Sequence, residues 1–167
     1  MFLVLILISI SMHGQTVINN KPVSDLDLKR YLGLWYEIAR FDHSFEKDLV
    51  GVTARYSLNP DGMIRVENRG FMHTLNGKEK VAVGKAKTVP GNPGQLKVSF
   101  FLWFYADYNV LMIDENYTYV LIGSKSPDYL WILSRTPKMN PDHYKAVLTE
   151  AKQRGYNTSK LLQVLQK

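Results

Sequence analysis

The fold is decided by two short stretches of sequence, Gly33-Leu34-Trp35-Tyr36 near the start and Leu130-Trp131-Ile132-Leu133-Ser134-Arg135 near the end. Both are rich in aromatic and branched residues, which favours β-strands. A tryptophan near one end of a β-rich chain and an arginine near the other meet only if the chain returns to its origin, as a closed barrel does. We therefore predict that Arg135 lies over the indole of Trp35, a cation–π contact worth about 0.5–2 kcal/mol, and that this closed-end pair seals the barrel.

The sequence between these stretches alternates short apolar runs with turns. Asn59-Pro60-Asp61-Gly62 is a strong turn signal, and Pro90-Gly91-Asn92-Pro93-Gly94 is another. This spacing predicts a sandwich or barrel rather than alternating strands and helices. The predicted strands are Trp35–Phe41, Val52–Leu58, Met63–Phe71, Val81–Thr88, Leu96–Phe101, Tyr108–Ile113, Tyr117–Gly123 and Tyr129–Arg135.

The connections alternate in length. Those after the odd-numbered strands are Asp42–Gly51, Met72–Lys80, Leu102–Asp107 and Ser124–Asp128, and the other three are mostly tighter. In an up-and-down meander all four lie at one end, which is then open and rich in loops. Eight strands form a barrel that is filled by side chains or holds one small ligand.

Beyond the last strand, Asn140-Pro141 predicts the start of a helix. Tyr144, Val147, Leu148 and Ala151 recur at helical spacing, and Gly155 ends the pattern. We expect this helix to pack outside the barrel. The leucine-rich tail after Gly155 is expected to add a short strand or to pack with the helix.

Composition and the N-terminus set the domain organisation. The 167 residues carry a net charge of +6, with scattered basic residues and no cysteine. Disulfides, thiol nucleophiles and thiolate metal sites are therefore excluded. Residues 1–14 are predicted to be a signal peptide, because the first twelve residues, apolar apart from two serines, are too few to span a bilayer. A buried N-terminal strand or helix is the alternative. Residues 15–167 are predicted to form a single domain.

Side-chain alternation predicts the barrel interior. Glu37 and Ala39 share a face with Trp35, while neither face of Tyr108–Ile113 is favoured. In the fourth strand, lysines occupy one face and cannot cheaply line an apolar cavity, so the small residues on the other face are placed inside. The predicted cavity lining is Tyr56, Val66, Asn68, Ala82, Gly84, Ala86, Val98, Phe100, Tyr119 and Trp131. A narrow aromatic cavity suits a long apolar chain, whereas the alternative is a solid core.

Three segments resemble the sequence motifs of the lipocalin family. Gly33-Leu34-Trp35-Tyr36-Glu37-Ile38 resembles its G-x-W-Y-E-I signature, and Leu130-Trp131-Ile132-Leu133-Ser134-Arg135-Thr136-Pro137 resembles its closing W-I-L-x-R-x-P segment. Ile113-Asp114-Glu115-Asn116-Tyr117 stands where the family often has T-D-Y, in degenerate form. The wider similarity is to bacterial lipocalins of the outer-membrane lipoprotein type, which are relatives of apolipoprotein D.

This resemblance implies an eight-stranded antiparallel up-and-down β-barrel with a C-terminal helix. It implies binding and transport or storage of a fatty acid or lysophospholipid for membrane lipid maintenance. Many bacterial members carry a lipid-modified cysteine, and this chain has none, so an unanchored periplasmic or secreted protein is expected. A lipocalin-fold interaction or stress protein with a filled cavity is the alternative.

The remaining motifs concern surfaces and excluded chemistries. Leu102, Trp103, Phe104 and Tyr105 form an apolar run that is expected to touch a membrane, gate the barrel or form a homodimer interface, unless neighbouring loops cover it. Asp42–Asp48 mixes His, Ser and carboxylates but matches no nucleophile motif, so no enzyme activity is predicted. The histidines lack metal-ligand spacing, and neither a cofactor nor nucleic-acid binding is expected.

Overall fold

The chain winds into an antiparallel sheet that closes on itself, as seen in a computed structural model that describes residues 17–167. The predicted signal peptide lies outside the described residues. The strands are β1 (Gly33–Phe41), β2 (Leu49–Leu58), β3 (Ile64–Met72), β4 (Glu79–Val89), β5 (Asn92–Phe101), β6 (Phe104–Ile113), β7 (Tyr119–Gly123), β8 (Leu130–Ser134) and β9 (Leu161–Gln163). The helices are α1 (Leu28–Tyr31) and α2 (Pro141–Gln153), with single 3₁₀ turns at Ser44–Glu46 and Thr158–Lys160.

Strand β1 closes the barrel because it pairs with both β2 and β8. Each strand from β2 to β8 pairs with its sequence neighbour, and every pairing is antiparallel. The predicted eight-stranded up-and-down barrel with a C-terminal helix outside it is therefore confirmed. The open end carries the connections 42–48, 73–78, 102–103 and 124–129, and the connections 59–63, 90–91 and 114–118 lie at the closed end.

Two predicted loops are shorter in the structure because strands extend into them. The connection predicted at Leu102–Asp107 shrinks to the turn Leu102–Trp103, since Phe101 pairs with Phe104 and Val98 with Ala106. The turn predicted over residues 90–94 shrinks to Pro90–Gly91, and β5 already begins at Asn92. In both places hydrogen-bonded pairing across the hairpin outweighs the local turn or loop signal.

Apolar side chains form one cluster inside the barrel and a second between the barrel and α2. The inner cluster contains Trp35, Tyr56 and Val66, and the outer cluster contains Val147 and Ala151 of the helix. Ala39 was expected inside, but it belongs to the outer cluster. A bulge between Glu37 and Ala39 causes this difference, because one extra residue reverses the alternation along β1.

The C-terminal tail fills a gap in the barrel wall near the open end. Strand β1 pairs with β2 only over Gly33–Tyr36, and its upper half pairs instead with β9. Beyond β9, the amide of Gly51 donates to the carbonyl oxygen of Leu165 at 2.6 Å. Gln166 Nε2 donates to the carbonyl oxygens of Glu37 at 2.6 Å and Val52 at 2.9 Å. The tail thus replaces the missing bonds between β1 and β2.

Candidate ligand-binding cavity

The closed end of the barrel is built around Arg135. Its guanidinium carbon lies 3.8 Å from the centre of the fully buried Trp35 ring. Its nitrogens donate to five backbone carbonyl oxygens, those of Arg30, Tyr31, Leu32, Leu34 and Tyr117, at 2.7–3.2 Å. Burial lowers the pKa of Arg135, although far too little to discharge a guanidinium at neutral pH. The arginine therefore ties α1, β1 and the turn before β7 into one closed end.

Three tyrosines form the floor of the space above this closed end. The hydroxyl of Tyr108 lies 2.5 Å from that of Tyr31 and 2.8 Å from that of Tyr56. Burial raises the pKa of all three phenols, so they stay neutral and bond to one another. This network satisfies the polar atoms at the base of the barrel and leaves an apolar space above them.

That space is a cavity of about 150 Å³ that is open at the loop-rich end. Of the predicted lining residues, Tyr56, Val66, Asn68, Val98, Phe100 and Trp131 lie along its wall. The complete lining is Glu37, Phe45, Glu46, Val52, Ala54, Tyr56, Val66, Asn68, Val98, Phe100, Ala106, Asp107, Tyr108, Ile122, Trp131 and Leu133. The wall is thus mainly apolar and aromatic, as in typical sites for small hydrophobic ligands.

The other four predicted lining residues lie elsewhere. Ala82 shares the inward face by its pairing with Asn68, but it is exposed towards the open end. At Gly84, an added Cβ would lie 2.8 Å from the Phe100 ring, so that ring fills the room the glycine leaves. Ala86 is fully buried in the inner core and fills it.

Tyr119 lies outside the barrel, in contrast to its predicted position in the lining. Its ring stacks on His143 of α2 with 4.6 Å between ring centres. Its neighbours Val120 and Ile122 occupy the inner cluster instead. Because faces alternate with a period of two, choosing the wrong residue at the start of β7 turned the predicted face outward.

Sequence reasoning missed Phe45 and Glu46, which enter the cavity from the 3₁₀ turn between β1 and β2. Strand periodicity cannot locate loop residues, so no alternation signal could have placed them. It also missed Ala106, which belongs to the part of β6 predicted as a loop, and Ile122, which shares a face with Val120.

A polar cluster occupies the upper part of the cavity. Arg40 Nη1 donates to Glu37 Oε1 at 2.8 Å, and Arg40 Nη2 donates to the backbone carbonyl oxygen of Glu46 at 2.7 Å. The Trp131 indole donates to Glu46 Oε2 at 3.0 Å. Burial, and then the neighbouring Glu46 carboxylate, raise the pKa of Glu37 well above its usual range.

His43 completes this cluster without a hydrogen bond of its own. Its Nε2 lies 2.9 Å from Glu46 Oε2, but off the line that a hydrogen bond requires. Both ring nitrogens are therefore buried without a hydrogen-bond partner among the described residues. The ring stacks on Phe45 with 3.8 Å between centres, which places an aromatic cover beside the carboxylates.

The tip of the β5–β6 hairpin, residues 100–105, is an exposed apolar surface at the open end. Phe101, Trp103 and Phe104 are each about two-thirds exposed, at 67%, 71% and 66%. Neighbouring loops therefore do not cover the tip, which was one predicted alternative. Lys87 Nζ lies 4.6 Å from the Tyr105 ring centre, so positive charge borders the aromatic surface.

The barrel with one sealed end and one open, apolar cavity is the architecture of a lipocalin. The lipocalin-like domain family matches residues 26–166, and the chain belongs to the lipocalin family. Lipocalins hold one small ligand inside an eight-stranded barrel. Across residues 17–167 there is no helix with the length and apolar character to cross a bilayer.

Relatives of known name come from bacteria and mammals. The chain is 47% identical over 148 residues to the outer membrane lipoprotein Blc of Vibrio cholerae, covering 87% of this chain and 86% of that protein. It is 46% identical over 154 residues to the protein of the same name from Escherichia coli strain K12, covering 92% and 84%. Rat apolipoprotein D is 38% identical over 143 residues, covering 77% of this chain and 72% of that protein.

Solved structures show the same barrel at low sequence identity. Insecticyanin from the tobacco hornworm Manduca sexta superposes with a TM-score of 0.71 at 22% identity, covering 86% of this chain and 82% of that one. The cockroach allergen Per a 4 also reaches 0.71 at 17% identity, covering 92% and 97%. These similarities support the fold alone.

Proposed function

We propose that this lipocalin binds one single-chain amphiphile, a fatty acid or a lysophospholipid, and carries or stores it for membrane lipid maintenance. The observation that carries this proposal is the apolar cavity above a floor whose polar atoms are already bonded to one another. Each buried methylene contributes about 0.8 kcal/mol, so an acyl chain can bind there without directional contacts. Its polar head is then left near the open end.

The open cavity favours a carrier over the alternative, an interaction or stress protein whose barrel is filled. The floor tyrosines fill the lower part of the barrel, but Val66, Val98 and Trp131 still border free space above them. We propose no catalytic role. The relatives described above carry lipoprotein names rather than enzyme names, and the cavity lining offers carboxylates and phenols without a nucleophile motif.

We propose that the protein works in the cell envelope or outside the cell. Two bacterial relatives are named as outer membrane lipoproteins, which supports an envelope location. Those names run against the expectation that this protein lacks a lipid anchor. That expectation rests on the absence of cysteine from the printed sequence and stays a prediction. Fractionation of the source cells, with and without detergent, tests it.

We propose that the hairpin tip touches a lipid bilayer when ligand enters or leaves. The tip lies at the open end, and Lys85 and Lys87 beside Tyr105 complement anionic lipid head groups. Trp103→Ala is expected to slow uptake of lysophospholipid from anionic vesicles severalfold. Leu58→Ala is the matched control, because Leu58 is 52% exposed and borders the closed end. Equal rates for both variants would contradict the proposal, and a concentration-dependent change of mass would indicate a homodimer instead.

Native mass spectrometry of the protein purified from its host tests the ligand directly. A fatty acid or lysophospholipid bound at one per chain is the expected result. The bound lipid is then extracted and identified, which gives both its chain length and its head group. A protein that is empty, and that also fails to take up added lysophospholipid, would favour the filled-barrel alternative.

A further inference from the structure

The titratable groups that line the cavity near its opening are carboxyl groups rather than basic groups. Glu37 and Glu46 both belong to the lining. Asp107, the third acidic residue of the lining, is already paired with Lys97 on the neighbouring strand. Among the described residues that form the wall, none is a lysine or arginine. A ligand head group therefore meets carboxylates at this level.

The basic groups nearby are His43, whose Nε2 lies 2.9 Å from Glu46 Oε2 without hydrogen-bond geometry, and Arg40, which is already engaged. Two of its nitrogens donate to the Glu37 carboxylate and to the carbonyl oxygens of Glu46 and Leu49, at 2.7–3.2 Å. Its Nε has no hydrogen-bond partner among residues 17–167, but Arg40 is only 4% exposed and is not part of the cavity wall. Burial, and then the Glu46 carboxylate, raise the pKa of Glu37, which favours its protonated form and leaves Glu46 as the carboxylate that a ligand meets.

Aromatic rings lie beside the Glu46 carboxylate. Trp131 and Phe45 both line the cavity, with 6.5 Å between ring centres, and the Trp131 indole reaches Glu46. Tyr129 stacks on Trp131 at 5.8 Å, and His43 stacks on Phe45 at 3.8 Å. Ring faces attract ammonium groups, and cages of aromatic residues are a common means of binding alkylated ammonium ligands.

We propose that the open end of the cavity binds the ammonium group of a single-chain amphiphile, with Glu46 as its carboxylate partner and Phe45 and Trp131 as its aromatic walls. This inference rests on the proposed lipid-binding function and narrows it. A lysophospholipid with an ethanolamine or choline head satisfies both the apolar cavity and the charged opening. A fatty acid places its carboxylate near that of Glu46, where like charges repel. A lysophosphatidylglycerol brings no cation to offset them.

Competition with a fluorescent fatty acyl probe tests this on the unmodified protein. The competitors share one C16 chain and differ only in the head: lysophosphatidylethanolamine, lysophosphatidylglycerol, palmitate and the uncharged monopalmitoylglycerol. We expect the ethanolamine lipid to bind about tenfold more tightly than the glycerol lipid and palmitate. Equal affinities, or tighter binding of an anion, would overturn the head-group inference and leave the lipid carrier intact. If no competitor binds, the proposed function fails as well.

Two variants test which residues cause the preference for the ethanolamine head group. Glu46→Gln removes the charge at nearly the same size, and we expect the ratio of ethanolamine to glycerol lipid affinity to fall to about one. Phe45→Leu keeps an apolar side chain on an exposed turn residue and removes only the ring face, so the ratio falls severalfold. The affinity of both variants for the uncharged monopalmitoylglycerol should change little. An unchanged affinity for this lipid shows that the apolar cavity is intact.

The matched control is Glu67→Gln. Glu67 accepts from Arg65 and Arg69 on the outer wall of the barrel, away from the cavity, so its variant should keep the full preference. If Glu46→Gln and Glu67→Gln retain the same preference, Glu46 is not the ammonium partner. If the Glu46 variant fails to fold, the Phe45 variant decides alone, and an unchanged ratio in it overturns the aromatic part of the site.

Discussion

At the scale of single residues, Arg135 does the work of a structural cross-link without a covalent bond. One side chain satisfies five carbonyl oxygens that would otherwise lie at a barrel end with few partners. Its planar guanidinium can also lie flat on the Trp35 ring while its edges donate hydrogen bonds. No other side chain combines these two properties.

Arg135→Met is expected to destabilise the protein by about 3 kcal/mol, because the carbonyl oxygens lose their donors and the cation–π contact disappears. Arg135→Lys should recover only a part of this, since an ammonium has three donors and no planar face. Urea unfolding measures the difference. Arg55→Met, on the outer wall, is the control and should change the stability by less than about 0.5 kcal/mol. A fully stable Arg135→Met variant would show that the closed end does not need the arginine.

Residue patterns predicted the first and last strands of the barrel well and the strands between them less well. Trp35 and Arg135 were found through their aromatic and apolar surroundings, which mark the first and last strands. Tyr119 was misplaced because β7 is apolar on both faces: one face packs inside and the other packs under α2. Phe45 and Glu46 were missed because a loop has no alternation to follow. Alternation along β1 did place Glu37 on the inner face, so the cavity wall was partly predictable, whereas the loop residues at its opening were not.

At the scale of elements, the tail after β9 acts as part of the barrel wall. Gln166 offers one amide nitrogen to two carbonyl oxygens on different strands, and the tail carbonyl of Leu165 accepts from β2. The tail takes this place because β1 pairs with β2 only over Gly33–Tyr36. The tail is thereby held against β1 and β2.

Gln166→Ala is expected to cost about 1–2 kcal/mol, since it leaves the carbonyl groups of Glu37 and Val52 without this donor. Hydrogen exchange should rise at the Gly51 amide, whose acceptor lies in the same tail. Gln153→Ala, at an exposed position near the end of α2, is the control. If exchange at Gly51 is unaffected, the tail does not hold the two strands together.

The hairpin turn keeps an apolar residue in a backbone conformation that disfavours it. Leu102 has a φ of +49°, in the left-handed region where side chains other than Gly, Asn and Asp are uncommon. Leu102→Asn is expected to stabilise the protein by about 1 kcal/mol through the turn and to weaken vesicle binding. Thermal unfolding and vesicle flotation measure the two effects. The control is Trp103→Asn, because the backbone φ at position 103 is not positive. This variant should weaken vesicle binding without the gain in stability.

At the scale of the whole molecule, buried phenols make stability depend on alkaline pH. Burial raises the pKa of Tyr31, Tyr56 and Tyr108 above the usual value, and it raises the pKa of Tyr156 to about 12. These groups keep their protons in the folded state and lose them near pH 10 when the chain unfolds. Their contribution to stability is therefore complete below pH 10 and is lost as the pH rises towards the folded-state values.

The free energy of unfolding should fall above pH 10, by about 1.4 kcal/mol per pH unit for each fully buried tyrosine. Urea titrations between pH 8 and 11.5 measure this slope. Tyr56→Phe should be less stable at pH 8, because Tyr108 loses a hydrogen-bond partner, but its slope should be shallower. A stability that stays level to pH 11 would mean that the phenols are not protected by burial.

The bonds of Arg135 also set the order of events when the chain folds. They join positions up to 105 residues apart. The closed end around the first strand is therefore incomplete until the segment that carries Arg135 has been made. Contacts between such distant parts of a chain slow folding into the range of milliseconds to seconds. A growing chain can pair neighbouring strands as hairpins, but β1 gains its second partner only when β8 has been made. The last barrel strand to be synthesised is thus the one that turns an open sheet into a cavity.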